Sequence, residues 1–259
     1  MRFPAQIDSC IAGWACALAW ESGPGSSTWK LTSADGQHRY LKTRPADAAV
    51  TLGGETARIR WARAAGLPVP DVVTACRLGS ADWLLTEALP GRSAVDPALK
   101  YEPETLVPIL ARGLRQFHDL VPAGQCPFPF RIDDAIARVS GRVQAGLISA
   151  PDMHPEHAHL SPEAALAELE RLRPRTEDLV VCHGDYCLPN VLITDGVATG
   201  FVDLGELGVA DRWWDLAVGS WSVTWNLGPG WEDLFLSSYG VTRDDHRVAF
   251  YRLLYDLTS

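Results

Sequence analysis

The chain has 259 residues, of which 47% are hydrophobic, and a formal net charge of −9. That length and apolar content support a sizeable core and exclude a disordered chain, while the acidic balance argues against a nucleic-acid-binding surface. No apolar run reaches transmembrane length, and the six cysteines are scattered without a C-x-x-C pair, the usage of reduced thiols rather than of a disulfide framework.

The apolar run Ile11–Trp20 follows Asp8, has Arg2 as its only upstream cation and lacks a small-residue cleavage site, so it reads as strand material and not as a signal peptide. Trp14–Trp20 and Trp29–Leu31 flank the turn-forming Gly23-Pro24-Gly25-Ser26-Ser27. A second turn, Ala34–Gln37, leads into a strand over His38–Thr43, which makes a β-meander. A helix is predicted over Glu55–Ala65, closed by Gly66. Trp83–Ala88 reads as a buried strand, and Leu89-Pro90-Gly91 turns the chain. The expected division is a first lobe over 1–88 and a second over 89–259. The second lobe is predicted to be mostly helical. Leu106, Leu110, Leu114 and Phe117 recur at helical spacing, as do Ile132, Ile136, Val139 and Val143 up to Gly146. Ser161-Pro162 opens another helix, and Thr242–Asp245 is a capping-box variant that opens the last one.

Chemistry is concentrated in Val180–Asp203. Asn190 follows Asp185 at the D-x-x-x-x-N step of a phosphoryl-transfer loop, and Asp203 with Gly205 forms a later D-x-G. Val191–Ile193, the turn Asp195-Gly196 and Ala198–Val202 read as a type I′ hairpin that returns Asp203 toward Asn190. Asp185 is the candidate base for a substrate hydroxyl. Asn190 and Asp203 offer the hard oxygen donors that Mg²⁺ prefers.

HGDYCLPN followed by GFVDLGELGVADRWWDLA resembles the aminoglycoside O-phosphotransferases, and most nearly the 3′-phosphotransferases of kanamycin and neomycin. WLLTEALPG, CPFPFR and FYRLLYDL extend the resemblance over most of the chain. It implies an α+β, two-lobed, protein-kinase-like fold with a β-rich first lobe carrying one main helix. It also implies ATP as phosphoryl donor, an aminoglycoside as acceptor, a cytoplasmic setting, and a monomer or weak dimer with no nucleic-acid or membrane partner. Streptomycin 3″-kinases fit the catalytic block equally well. A kinase of another small hydroxylated metabolite and a catalytically weak binding protein are the remaining alternatives.

On this reading Lys42 contacts the ATP phosphates and pairs with Glu55. The Ser26-Ser27 loop covers the phosphates, and backbone groups of Glu87 and Ala88 meet the adenine. His183 shapes the catalytic loop, and Asp215 braces it through backbone N–H groups. Asp152 and Asp256 match acidic antibiotic-holding positions. At the chain end Tyr255 replaces one carboxylate of the family's acidic pair. Glu206 stands where the family generally has arginine, a charge reversal expected to alter the local field and either to make the substrate cleft more acidic or to disturb how Asp185 is oriented. His154, His157 and His159 are of the type that holds zinc, but flanking prolines and polar residues suggest an open loop.

Overall fold

The computed structural model describes residues 3, 5–21, 25–48, 50–100 and 102–258, apart from the side chains of Lys100 and Asp152. The chain divides into two compact units, Met1–Gly91 with Gly200–Glu206, and Arg92–Thr199 with Leu207–Ser259. The first division thus falls after Gly91 rather than Ala88. The segment carrying Asp203 returns to the first unit, where the Phe201 N–H donates to the Pro68 carbonyl at 3.0 Å.

The first unit opens with helix α1 (Ala5–Ile11), where the sequence pointed to strand material from Ile11 onward. Ile7 and Ile11 lie one turn apart, and both are buried against Leu31, Leu41 and Leu85. Strands β1 (Ala15–Glu21), β2 (Ser27–Thr32) and β3 (His38–Pro45) form the expected meander. Helix α2 (Leu52–Ala64) begins three residues earlier than predicted because the Thr51 side chain caps it, accepting from Gly54 N at 3.1 Å. Strands β4 (Val72–Leu78) and β5 (Ala81–Glu87) complete an antiparallel sheet in the order β1-β2-β3-β5-β4. β4 lacks a clean polar–apolar alternation and was not foreseen.

The second unit carries β6 (Arg92–Ser93), α3 (Pro97–Lys100) and α4 (Pro103–Leu120), then α5 (Ile132–Gln144), α6 (Pro162–Arg171) and β7 (Leu179–Cys182). β8 (Val191–Thr194) and β9 (Val197–Phe201) follow, the latter running on into the first unit. Their turn has φ 49° at Asp195 and 74° at Gly196, as a type I′ turn needs. β10 (Gly208–Asp211) pairs with β7, and β6 pairs with β8. α7 (Trp213–Leu227), α8 (Glu232–Tyr239) and α9 (Asp245–Thr258) close the chain. The predicted stripes of α4 and α5 are buried at Leu106, Leu110, Leu114, Phe117, Ile132, Ile136 and Val139. The Ser161 hydroxyl caps α6, accepting from Ala164 N at 3.2 Å. The α9 cap is Asp244, accepting from Arg247 N at 3.0 Å, and not Thr242. α7 is apolar on nearly every side and buried from Trp213 to Val223, as befits a central helix. A first unit built on one five-stranded sheet and a second built mainly of helices make the fold α+β. No described helix is long and apolar enough to cross a membrane.

Candidate active site

In the first unit, Leu41 is buried in the sheet and Lys42, the next residue of β3, points to the opposite face. There the Lys42 Nζ is 2.7 Å from Glu55 Oε1 and 3.0 Å from Asp203 Oδ1. Three sequence-predicted residues from separate segments therefore meet at one ammonium. Burial alone would lower the Lys42 pKa, but the Glu55 and Asp203 carboxylates outweigh it and hold the lysine above its ordinary value. Asp203 has φ 63°, a left-handed conformation that costs a non-glycine residue about 1 kcal/mol. Gly205 lies close by; a Cβ there would come within 3.0 Å of Val50 Cγ1. Glu206 is half-buried in the same segment.

The Glu87 and Ala88 N–H groups are both engaged within this unit, donating to Asp71 O at 2.9 Å and His38 O at 3.1 Å. The Glu87 carboxylate pairs with Arg39 at 2.8 Å. Both N–H groups are thus held within the unit, and of the backbone groups assigned to the adenine edge it is the carbonyls that these two bonds leave untouched. Of the proposed phosphate loop, Gly23 and Pro24 lie outside the described residues. Ser26 is half-buried, and Ser27 pairs with Thr43 at the start of β2.

In the second unit the loop after β7 is held from below by Asp215. Its Oδ1 accepts from Gly184 N at 2.9 Å and its Oδ2 from His183 N at 2.6 Å, as the sequence reading expected. His118 Nε2 also meets Oδ2 at 2.9 Å, which makes His118 a satisfied core histidine. The buried His183 ring accepts the Asp185 N–H at Nδ1, 3.2 Å away. Gly184 adopts φ 89° and offers its carbonyl to the Trp214 indole N–H at 2.6 Å.

Asp185 and Asn190 are adjacent. Asn190 Nδ2 donates to the Asp185 carbonyl at 3.0 Å and to Asp185 Oδ2 at 2.9 Å, which orients the amide so that its oxygen faces elsewhere. The amide oxygen here and the Asp203 carboxylate in the first unit are both hard donors, the kind that suits Mg²⁺. Asp185 Oδ1 accepts from the Tyr255 hydroxyl at 2.9 Å and from the Cys187 thiol at 3.1 Å. The sequence named Tyr255 only as the replacement for an acidic residue; nothing local could connect it to Asp185. Burial, together with the neighbouring Cys187 and Asp185, pushes the Tyr255 phenol well up, so it stays a donor.

Asp256 is not open to a ligand in the way the sequence suggested. Its side chain is 10% exposed, its two oxygens accept from His154 N at 3.0 Å, and Oδ2 meets His157 Nδ1 at 2.8 Å. A carboxylate next to two loop donors is drawn inward, and Asp256 clamps the loop at 154–157. Asp152 closes a short 3₁₀ turn just before it. His154 and His157 are engaged with Asp256 and the Trp221 and Trp225 rings rather than grouped for a metal. Among the described residues, His118, Cys182 and Asp215 are the cluster whose ligand atoms lie within 4.8 Å of one another, and all three are buried.

Residues 19–251 match the APH phosphotransferase enzyme family. The chain belongs to that family. It is 40% identical over 247 residues to the aminoglycoside 3′-phosphotransferase of Streptomyces fradiae, a match covering 90% of this chain and 91% of the relative. Among solved structures, the aminoglycoside-3′-phosphotransferase of type VIII aligns with a TM-score of 0.86 at 31% identity, covering 97% of this chain and 96% of the other. The aminoglycoside phosphotransferase APH(3″)-Id of Streptomyces rimosus, in complex with ADP and streptomycin, aligns with a TM-score of 0.77 at 29% identity, covering 98% and 96%. The chain is therefore a phosphotransferase, and its α+β fold is the kinase-like fold of this family.

Proposed function

We propose that this phosphotransferase moves the γ-phosphoryl group of ATP to a hydroxyl of an aminoglycoside, the 3′ hydroxyl of the kanamycin and neomycin type. The observation that carries the reading is the Asp185 carboxylate, fixed by Asn190 at the D-x-x-x-x-N step in a loop anchored by Asp215. Asp185 orients the acceptor hydroxyl and takes its proton as the oxygen attacks the γ-phosphorus. Lys42, steadied by Glu55, supplies positive charge to the donor's phosphates. Asn190 and Asp203 are the residues assigned to hold Mg²⁺, which when bound neutralises phosphate charge. Ser26 and Ser27 are assigned to the phosphate-covering turn, and Asp152 and Glu206 to ammonium groups of the acceptor.

The net charge of −9 favours encounter with a polycationic substrate. A phosphate on that substrate adds a bulky anion and weakens its hold on ribosomal RNA, which is the route to resistance. ATP use fits a cytoplasmic enzyme. The 40% identity to a 3′-phosphotransferase supports the 3′ position. The similarity to the streptomycin complex keeps a streptomycin 3″-kinase as the second reading. The test is ATP turnover with kanamycin, neomycin and streptomycin, with the product hydroxyl located by NMR. Turnover with kanamycin or neomycin at the 3′ position supports the first reading, and transfer to streptomycin alone supports the second. No turnover with any aminoglycoside removes both.

A further inference from the structure

Asp185 is surrounded by more donors than the loop motif supplies. A carboxylate has about four lone-pair positions, two on each oxygen. The Tyr255 hydroxyl at 2.9 Å and the Cys187 thiol at 3.1 Å occupy Oδ1, while the Asn190 amide occupies one position of Oδ2 at 2.9 Å. Among the described residues one position remains, and it is on Oδ2. We propose that Tyr255 and Cys187 are positioning residues which saturate Oδ1 of Asp185, so that Oδ2 is the atom that takes the acceptor's proton. The proposal rests on the phosphotransferase reading above.

The two donors converge on Oδ1 from different elements, and the Cys187 Sγ and the Tyr255 hydroxyl oxygen lie 3.8 Å apart. Cys187 belongs to the loop itself, two residues from Asp185. Tyr255 arrives from α9, flanked by the buried Leu254 and Leu257 and set edge-on to Trp214, with ring centroids 6.4 Å apart. The phenol is therefore fixed by core packing, and it limits rotation of the carboxylate about its last torsion. In the transfer step the acceptor O–H bond breaks and its proton passes to Oδ2. The acceptor oxygen forms a bond to the γ-phosphorus, and the bond from that phosphorus to the bridging oxygen breaks, its electron pair leaving on ADP. A rotated carboxylate would present an oxygen that already carries hydrogen bonds, and the proton would have no short path.

The test uses the full-length enzyme with ATP and the aminoglycoside that wild type turns over fastest. Tyr255→Phe removes one oxygen atom and keeps the ring. Its kcat is expected to fall about tenfold to hundredfold, with the KM for ATP and the melting temperature close to wild type. Cys187→Ala should lower kcat less, and Cys187→Ser, which retains a donor, should exceed Cys187→Ala. The double variant Tyr255→Phe/Cys187→Ala should depart from the product of the single effects, because both donors serve one oxygen. Crystal structures of wild type and Tyr255→Phe should show the Asp185 carboxylate rotated in the variant. Wild-type kcat with an unrotated carboxylate in Tyr255→Phe overturns the proposal. So does a rise in acceptor KM at constant kcat, since Tyr255 would then be a substrate contact. If wild type transfers to no aminoglycoside while the variant's carboxylate still turns, the positioning stands and only the substrate reading falls.

Discussion

His118 Nε2 and Asp215 Oδ2 lie 2.9 Å apart with neither side chain exposed, although 97 positions separate them in the chain. The same carboxylate accepts the backbone N–H groups of His183 and Gly184. One residue of α7 thus ties α4 to the loop that carries Asp185. Asp215→Asn keeps the shape but turns an acceptor into a donor facing N–H groups. The variant is expected to lose about 2–3 kcal/mol of stability in urea unfolding, and kcat should fall with it because the loop loses its anchor. Unaltered stability would show that the loop is held by other contacts.

The Lys42–Glu55 pair gives a second expectation. Glu55 is 1% exposed, and its partner also meets Asp203. Glu55→Gln leaves an acceptor but removes a charge, so Lys42 is drawn toward Asp203 alone. Affinity for ATP, measured by titration of the free enzyme, should drop about tenfold, with a stability loss of about 1–2 kcal/mol. Equal affinity in the variant would mean that Glu55 does not aim the lysine.

Two helical glycines should respond with opposite signs. A Cβ on Gly113 of α4 would come within 2.4 Å of the Ala198 Cβ and 3.5 Å of the Tyr186 hydroxyl. Gly113→Ala should cost about 1–3 kcal/mol by overpacking. Gly141 of α5 has nothing within 4 Å of the same position, and Gly141→Ala should add about 0.5–1 kcal/mol through helix propensity. Calorimetric melting of the two variants beside wild type distinguishes a packing requirement from a general intolerance of side chains.

His154 makes stability depend on pH. Burial holds its pKa below the ordinary value, against the opposing pull of Asp256 and Glu156, while His157 and Arg252 lower it further. The neutral ring accepts the Trp225 indole N–H at Nε2, 3.0 Å away. The unfolded chain takes the proton more readily than the folded one. The stability that His154 contributes is therefore present above the unfolded value of about 6.5 and is lost as pH falls through the lower folded value. Urea unfolding at pH 7.5 and pH 5.5 should show a smaller loss on acidification for His154→Gln than for wild type, and identical losses would remove His154 as the source.

The catalytic loop was legible because its chemistry is local. Asp185 to Asn190 is a single turn of chain, and the spacing alone puts an amide within reach of the carboxylate, as the 2.9 Å bond shows. The hairpin was legible for the same reason, since Asp195-Gly196 is one of the few pairs that readily takes two left-handed residues in succession. α1 was not foreseen because Ile7 and Ile11 carry a helical period only if Ile11 is separated from the apolar strand after it, and tertiary burial decides where that cut falls.

Short-range order in this protein, its caps, its turn, its helical stripes and the donor types of its phosphoryl-transfer loop, follows from neighbouring residues whose geometry the backbone already restricts. Long-range choices do not. The Tyr255 hydroxyl reaches Asp185 across 70 positions, and Asp256 folds onto the His154 N–H across 102. Adjacent residues on the same helix thus turn to different tasks, one toward the reacting carboxylate and one toward a loop. Only the packing of α9 selects between them, because a polar side chain near a core takes whichever partner the surrounding helices place within hydrogen-bonding distance.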